Sequence, residues 1–113
     1  YLYGMLYNLL SNALKFRIPE KQLYVHVQTR VDGEYICLSV RDNGMGIDLV
    51  KNRSKIFGLY RKFHNNLPGK GVGLHLVKAQ AESLDGRVEV QSKINEGSEF
   101  RIYLPVYKEK VRG

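Results

Sequence analysis

A two-layer α+β sandwich, one sheet covered on a single face by helices, is the fold this sequence predicts. Two apolar stripes recur at helical spacing, short apolar runs alternate with period two, and turn residues join those runs into hairpins. The size agrees: 113 residues at 43% hydrophobic content fill one core and leave little for a second, so residues 1–113 read as a single domain.

Leu2, Leu6, Leu9, Leu10 and Ala13 form the first stripe, a helix over Tyr1 to Phe16 that Pro19 stops. No capping residue precedes it and the chain opens on Tyr1 rather than Met, so an N-terminally truncated fold with a missing upstream segment is expected. Leu23, Val25 and Val27 alternate with polar residues, Val31-Asp32-Gly33-Glu34 turns the chain, and Ile36, Leu38 and Val40 alternate again. Residues 48–70 are polar, basic and weakly periodic, which predicts a mobile loop. Leu74, Val77, Ala81 and Leu84 then mark a second helix closed by Asp85-Gly86. Val88 and Val90, then Phe100, Ile102 and Leu104, alternate on a second hairpin joined around Asn95-Glu96-Gly97, and a frayed tail over 108–113 follows.

Composition narrows the function. The sequence contains no apolar run of the roughly 20 residues a membrane span needs and no secretory leader, which predicts a cytoplasmic domain without direct membrane contact. The single cysteine, Cys37, has no partner for a disulfide or a zinc site and fits a reducing compartment. The net charge of +7 suits nucleic acid, anionic lipid or a phosphorylated ligand.

Asp42 falls in phase with Ile36, Leu38 and Val40, so its carboxylate is expected to point toward the apolar layer, where it is costly unless a donor meets it. Asp42-Asn43-Gly44 also reads as an ordinary turn. The following Gly46 favours a binding loop, since two glycines let backbone approach a flat ligand while the carboxylate accepts its amino hydrogens. Gly69-Lys70-Gly71-Val72-Gly73-Leu74 directly precedes the second helix, where free backbone amides can hold phosphate; a glycine-rich hinge is the plainer reading. It matches neither the dinucleotide fingerprint nor the P-loop. Asn8, Asn12 and Lys15 share one side of the first helix, either as a solvated face or as amide oxygens and a cation for magnesium and phosphate.

In this order the segments resemble the catalytic domain of sensor histidine kinases over almost the whole chain. Asn8 to Phe16 resembles that family's N box, Asp42 to Ile47 its first glycine box and Gly69 to Leu74 its second. Ile56-Phe57 through Phe63 resembles the F box, and Gly97-Ser98 before Phe100 the last glycine box. The resemblance implies the Bergerat ATP-binding fold, with a mixed sheet, and ATP and Mg2+ as ligands. It implies that Asn12 is the principal magnesium ligand, that Asn8 assists, and that Lys15 touches phosphate. Phe16 would pack on the adenine and Asp42 accept from its amino group, with Gly44, Gly46, Ile47 and Ser98 shaping the pocket. Gly69, Gly71 and Gly73, with Val72 and Leu74, would hinge a lid over 48–70, and Arg61, Lys62, His64 and Lys70 would be candidates for the triphosphate.

The reaction implied is transfer of the γ-phosphoryl of ATP to a histidine on a helical dimerisation hairpin of the same polypeptide, a homodimer when intact, for relay to a response regulator receiver domain. His26, His64 and His75 read as surface or packing residues, not as that acceptor. The F box departs from many relatives in carrying Tyr60 where a second Phe is usual. Two rivals stay open. Related ATPases of the topoisomerase, mismatch-repair and chaperone kind usually carry Glu at the position of Asn8, which this chain lacks. A nucleic-acid module is suggested by Lys51, Arg53, Lys55, Arg61 and Lys62 around Tyr60 and Phe63, yet a basic lid over a triphosphate explains them equally, and no nucleic acid is expected as a partner.

Overall fold

The computed structural model of the chain describes residues 2–48 and 72–106. The first helix, α1 (Leu2–Lys15), buries Met5, Leu9 and Ala13, spaced four apart along one stripe, with Leu6 and Leu10 partly buried beside them. Its end is closed locally: the Phe16 N–H donates to the Asn12 carbonyl at 3.1 Å, and Arg17 Nη1 donates to the Leu14 carbonyl at 2.6 Å.

Strands β1 (Val25–Asp32) and β2 (Tyr35–Asp42) form the first hairpin around Gly33-Glu34, where Gly33 takes a φ of 62°. Helix α2 (Val72–Ser83) buries Leu74, Val77 and Ala81. It ends in a Schellman motif, with Gly86 N–H bonded to the Ala81 carbonyl at 2.8 Å and Asp85 N–H to the Glu82 carbonyl at 3.0 Å. The left-handed residue of that cap is Asp85, at φ 65°, and not the glycine beside it. Gly86 is needed for a different reason, because a Cβ there would run into the Tyr103 carbonyl. Strands β3 (Arg87–Lys93) and β4 (Gly97–Pro105) complete the sheet.

The strand order is β1-β2-β4-β3, and the three pairings are antiparallel. A mixed sheet was the expectation; among the described residues only hairpins and one antiparallel closure of β4 on β2 occur. Helix α1 packs on β2 and α2, and α2 on β3 and β4, so both helices lie on one face over Leu38, Val40, Val90, Phe100 and Ile102. β1 departs from the expected pattern: it is an edge strand beyond these contacts, and Val27 and Val31 on its inner face stay exposed. The opposite face of the sheet is polar, but it has its own covered spot. The Arg87 guanidinium lies 4.0 Å from the ring centre of Tyr103 and 5.2 Å from that of Tyr35, above the buried Cys37.

Candidate functional site

The registers set Val25, Asp42, Ser98 and Ser92 in one row across the four strands, on the helix-covered face and at its end. The next row inward is Val27, Val40, Phe100 and Val90, of which the last three are core while Val27, on the edge strand, is exposed. The sheet therefore changes from apolar to polar in a single step, and Asp42 stands at that step. Its side chain is half-buried and its Oδ1 accepts the Gly44 N–H at 2.8 Å. Burial pushes the Asp42 carboxyl above the usual carboxylate range, while hydrogen bonds from the backbone of Gly44 and Ser98 partly offset it. Two backbone donors do not exhaust a carboxylate's acceptor capacity, so the group can take a further donor from a ligand.

The loop after Asp42 is pinned along its length. Met45 N–H donates to the Phe16 carbonyl at 2.9 Å, and Asn95 N–H donates to the Met45 carbonyl at 2.6 Å. Ile47 N–H then donates to Ser92 Oγ at 2.7 Å. Gly44 and Gly46 are both buried. A Cβ on Gly44 would stand 2.7 Å from the Phe16 carbonyl oxygen, and one on Gly46, whose φ is 74°, would collide with the Lys93 carbonyl. The glycines serve close approach of this loop to α1 on one side and to the β3–β4 turn on the other. Gly97, at φ 126°, meets the same constraint against the Asp42 carbonyl.

The end of α1 is thereby held beside the Asp42 loop, although 25 residues lie between Phe16 and Asp42 in the chain. Asn8 and Asn12 are half-buried on a stripe that adjoins Met5, Leu9 and Ala13, Lys15 is exposed one turn on, and Phe16 is half-buried. These four residues lie along one edge of the helix that leads to the loop. Val72 and Gly73 open α2, while the side chains of Leu74 and Ile47 belong to the core, so their contribution to a site is to fix backbone. Ser98 is buried with its hydroxyl 2.7 Å from Ser92 Oγ. Arg61, Lys62, Gly69, Lys70, Gly71, the F box and the predicted lid, apart from Asp48, lie outside the described residues. Among the histidines, His26 is exposed and 3.2 Å from Gln28 Oε1, and His75 is half-buried on α2.

Sequence reasoning missed two residues that build this site. Asn43 ties down the segment before β1, its Oδ1 accepting the Tyr24 N–H and its Nδ2 donating to the Gln22 carbonyl, both at 2.9 Å. Ser92 was legible by the test applied to Asp42, since it is a polar residue in phase with the apolar Val88 and Val90.

Residues 1–108 match the family described as histidine kinase-, DNA gyrase B-, and HSP90-like ATPase. Sensor protein RprX of Bacteroides fragilis is 32% identical over 109 residues, covering 93% of this chain and 21% of RprX. Sensor histidine kinase RcsC of Escherichia coli is 35% identical over 103 residues, covering 88% of this chain and 10% of RcsC. Among solved structures, the mycobacterial sensor histidine kinase MprB superposes with a TM-score of 0.76 at 26% identity, over 90% of this chain and 70% of that one. The chain thus spans about a fifth or less of the length of these curated relatives.

Proposed function

The chain belongs to the histidine kinase-, DNA gyrase B- and HSP90-like ATPase family, and from that membership we propose that it acts as the ATP-binding catalytic domain of a two-component sensor histidine kinase. The observation that carries the reading is the desolvated Asp42 carboxylate, held at the end of β2 beside a loop whose glycines are pressed against the end of α1. A carboxylate with acceptor capacity left over suits the amino group of adenine and repels the carbonyl oxygen of guanine. The half-buried Phe16, at the junction of α1 and this loop, supports the base by packing.

Among the described residues no group of three His, Cys, Asp or Glu side chains could hold a metal ion. The donor set on α1 nonetheless fits a magnesium ion carried by the triphosphate, because such an ion takes oxygen donors, keeps most of its waters and needs only one or two ligands from the protein, which the amide oxygens of Asn12 and Asn8 would supply. Asn12 would be the principal ligand in this reading and Asn8 the second, with Lys15 at the phosphate. When bound, magnesium neutralises phosphate charge. Asn8 has an amide where a general base would be needed to deprotonate water, which favours transfer to a protein histidine over hydrolysis. The acceptor histidine belongs to a helical hairpin of the same polypeptide, which is cytoplasmic at this domain, dimeric when intact and followed in the relay by a response regulator.

Calorimetry of the purified chain with magnesium and ATP should show binding. Incubation with γ-labelled ATP should give no acid-labile phosphoprotein until a hairpin bearing the acceptor histidine is added. Failure to bind ATP, or strong self-labelling of the chain alone, would refute the reading.

A further inference from the structure

The hydroxyl of Ser92 has one proton to give and two lone pairs to receive with, and the structure surrounds it with three partners. It accepts the Ile47 N–H at 2.7 Å, donates to the Gly97 carbonyl at 2.9 Å and lies 2.7 Å from the Ser98 hydroxyl, which can donate into the remaining lone pair. Ile47, Gly97 and Ser98 are all buried, so water cannot easily replace what the serine supplies. Ile47 closes the glycine-containing segment that begins at Asp42, and Ser98 is the β4 partner of Asp42. The same hydroxyl therefore holds the far end of the loop, the turn glycine that lies against the Asp42 carbonyl, and the residue paired with Asp42.

We propose that Ser92 is a positioning residue for base recognition, through which the β3–β4 hairpin fixes the Asp42–Ile47 loop at the adenine. The inference rests on the ATP-binding reading above. Ser92 makes no contact with the nucleotide in this proposal; it acts through Ile47, Gly97 and Ser98. Losing its hydroxyl strands a buried donor at Ile47 and a buried acceptor at Gly97, and the loop relaxes away from the geometry in which the Asp42 carboxylate discriminates bases.

The test compares wild type, Ser92→Ala and Ser92→Thr, measuring affinity for magnesium-ATP and magnesium-GTP by calorimetry and the thermal midpoint for each. In Ser92→Ala, ATP affinity should fall about tenfold with GTP affinity almost unchanged, as expected when about one buried hydrogen bond's worth of positioning is lost. Ser92→Thr keeps the hydroxyl and should restore both the affinity and the ATP-to-GTP ratio. In an Asp42→Asn background the further change Ser92→Ala should have little effect on the ratio, because the group it positions is gone. Equal ATP affinity in Ser92→Ala and wild type would overturn the proposal, and so would a proportionate loss of both nucleotides, the signature of general loosening. If Ser92→Ala does not fold, Ser92→Cys carries the same comparison under reducing conditions, since a thiol is a weak donor and acceptor. A wild-type chain that fails to bind ATP would instead bring down the functional reading itself.

Discussion

Asp42→Asn exchanges one oxygen for an amino group, and the local geometry decides where that group points. Oδ1 of Asp42 accepts the Gly44 N–H at 2.8 Å, and an asparagine retains that bond only by keeping its carbonyl oxygen there. Its amino group is then turned to the position of the second carboxylate oxygen, where, with adenine bound as proposed, it would face the adenine amino group donor to donor. The loss of one charge-assisted hydrogen bond is worth about 1 to 3 kcal/mol, or roughly 5- to 150-fold in the ATP dissociation constant. Guanine presents a carbonyl oxygen at the same place, which the new amino group can meet, so the ATP-to-GTP preference should narrow from both sides. Stability should move the other way. Burial raises the Asp42 carboxyl above its ordinary 3.8 in the folded chain, so the fold binds that proton more tightly than the unfolded chain does. Its favourable contribution is complete below 3.8 and is lost as the pH rises through the raised folded value, which leaves the ionised group a liability to the nucleotide-free fold at neutral pH. Asparagine removes that liability, so the nucleotide-free variant should melt at or above the wild-type temperature at about pH 7 and gain nothing at about pH 3. Calorimetry with both nucleotides and melts at the two pH values check this. Unchanged ATP affinity in the variant would refute the placement of Asp42 at the base.

Asn8→Glu puts a carboxylate one helical turn from Asn12, and basal ATP hydrolysis at saturating ATP should rise, though by less than the roughly 10²- to 10⁴-fold that a well-placed base gives; unchanged turnover by a variant that still binds magnesium-ATP would show that Asn8 does not spare the nucleotide. Gly46→Ala combines a left-handed φ of 74° with a clash on the Lys93 carbonyl, whereas Gly33→Ala meets only the left-handed φ of 62° in open space. Thermal melts should therefore show a larger loss for Gly46→Ala than for Gly33→Ala, whose cost is of order 1 kcal/mol, and only the former should weaken ATP binding. Hydrogen bonds from Arg101 and Ser39 hold the Glu99 carboxyl below its ordinary 4.5, so its contribution is present above that value and lost as pH falls through the lower folded one. Urea melts of Glu99→Gln from neutral to acid pH should show a flatter acid limb than wild type.

Period and turn chemistry were enough to place both helices and the strands β2, β3 and β4, whose apolar phase matches the face they bury: Met5, Leu9 and Ala13 on α1, Leu38 and Val40 on β2, Phe100 and Ile102 on β4. The first strand instead starts at Val25, after Leu23, and runs through Val31-Asp32, which the sequence pattern reads as turn. They were also enough to single out Asp42, since a carboxylate in phase with an apolar face is visible in a string of letters. Neighbours set by register were beyond reach. Alternation assigns Ser92 and Ser98 to a face, but only the pairing of β3 with β4 and β4 with β2 puts them in one row with Asp42. The covering of a face was equally undetermined: Val27 and Val31 have the same pattern as the core valines, yet they lie on the edge strand, away from the main helix contacts with β2, β3 and β4, and they remain exposed. A sequence carries the phase of each strand, which is a local property of the backbone. Which polar group meets which donor depends on contacts between segments far apart in the chain, and those come into being only when the sheet and its two helices close on one another.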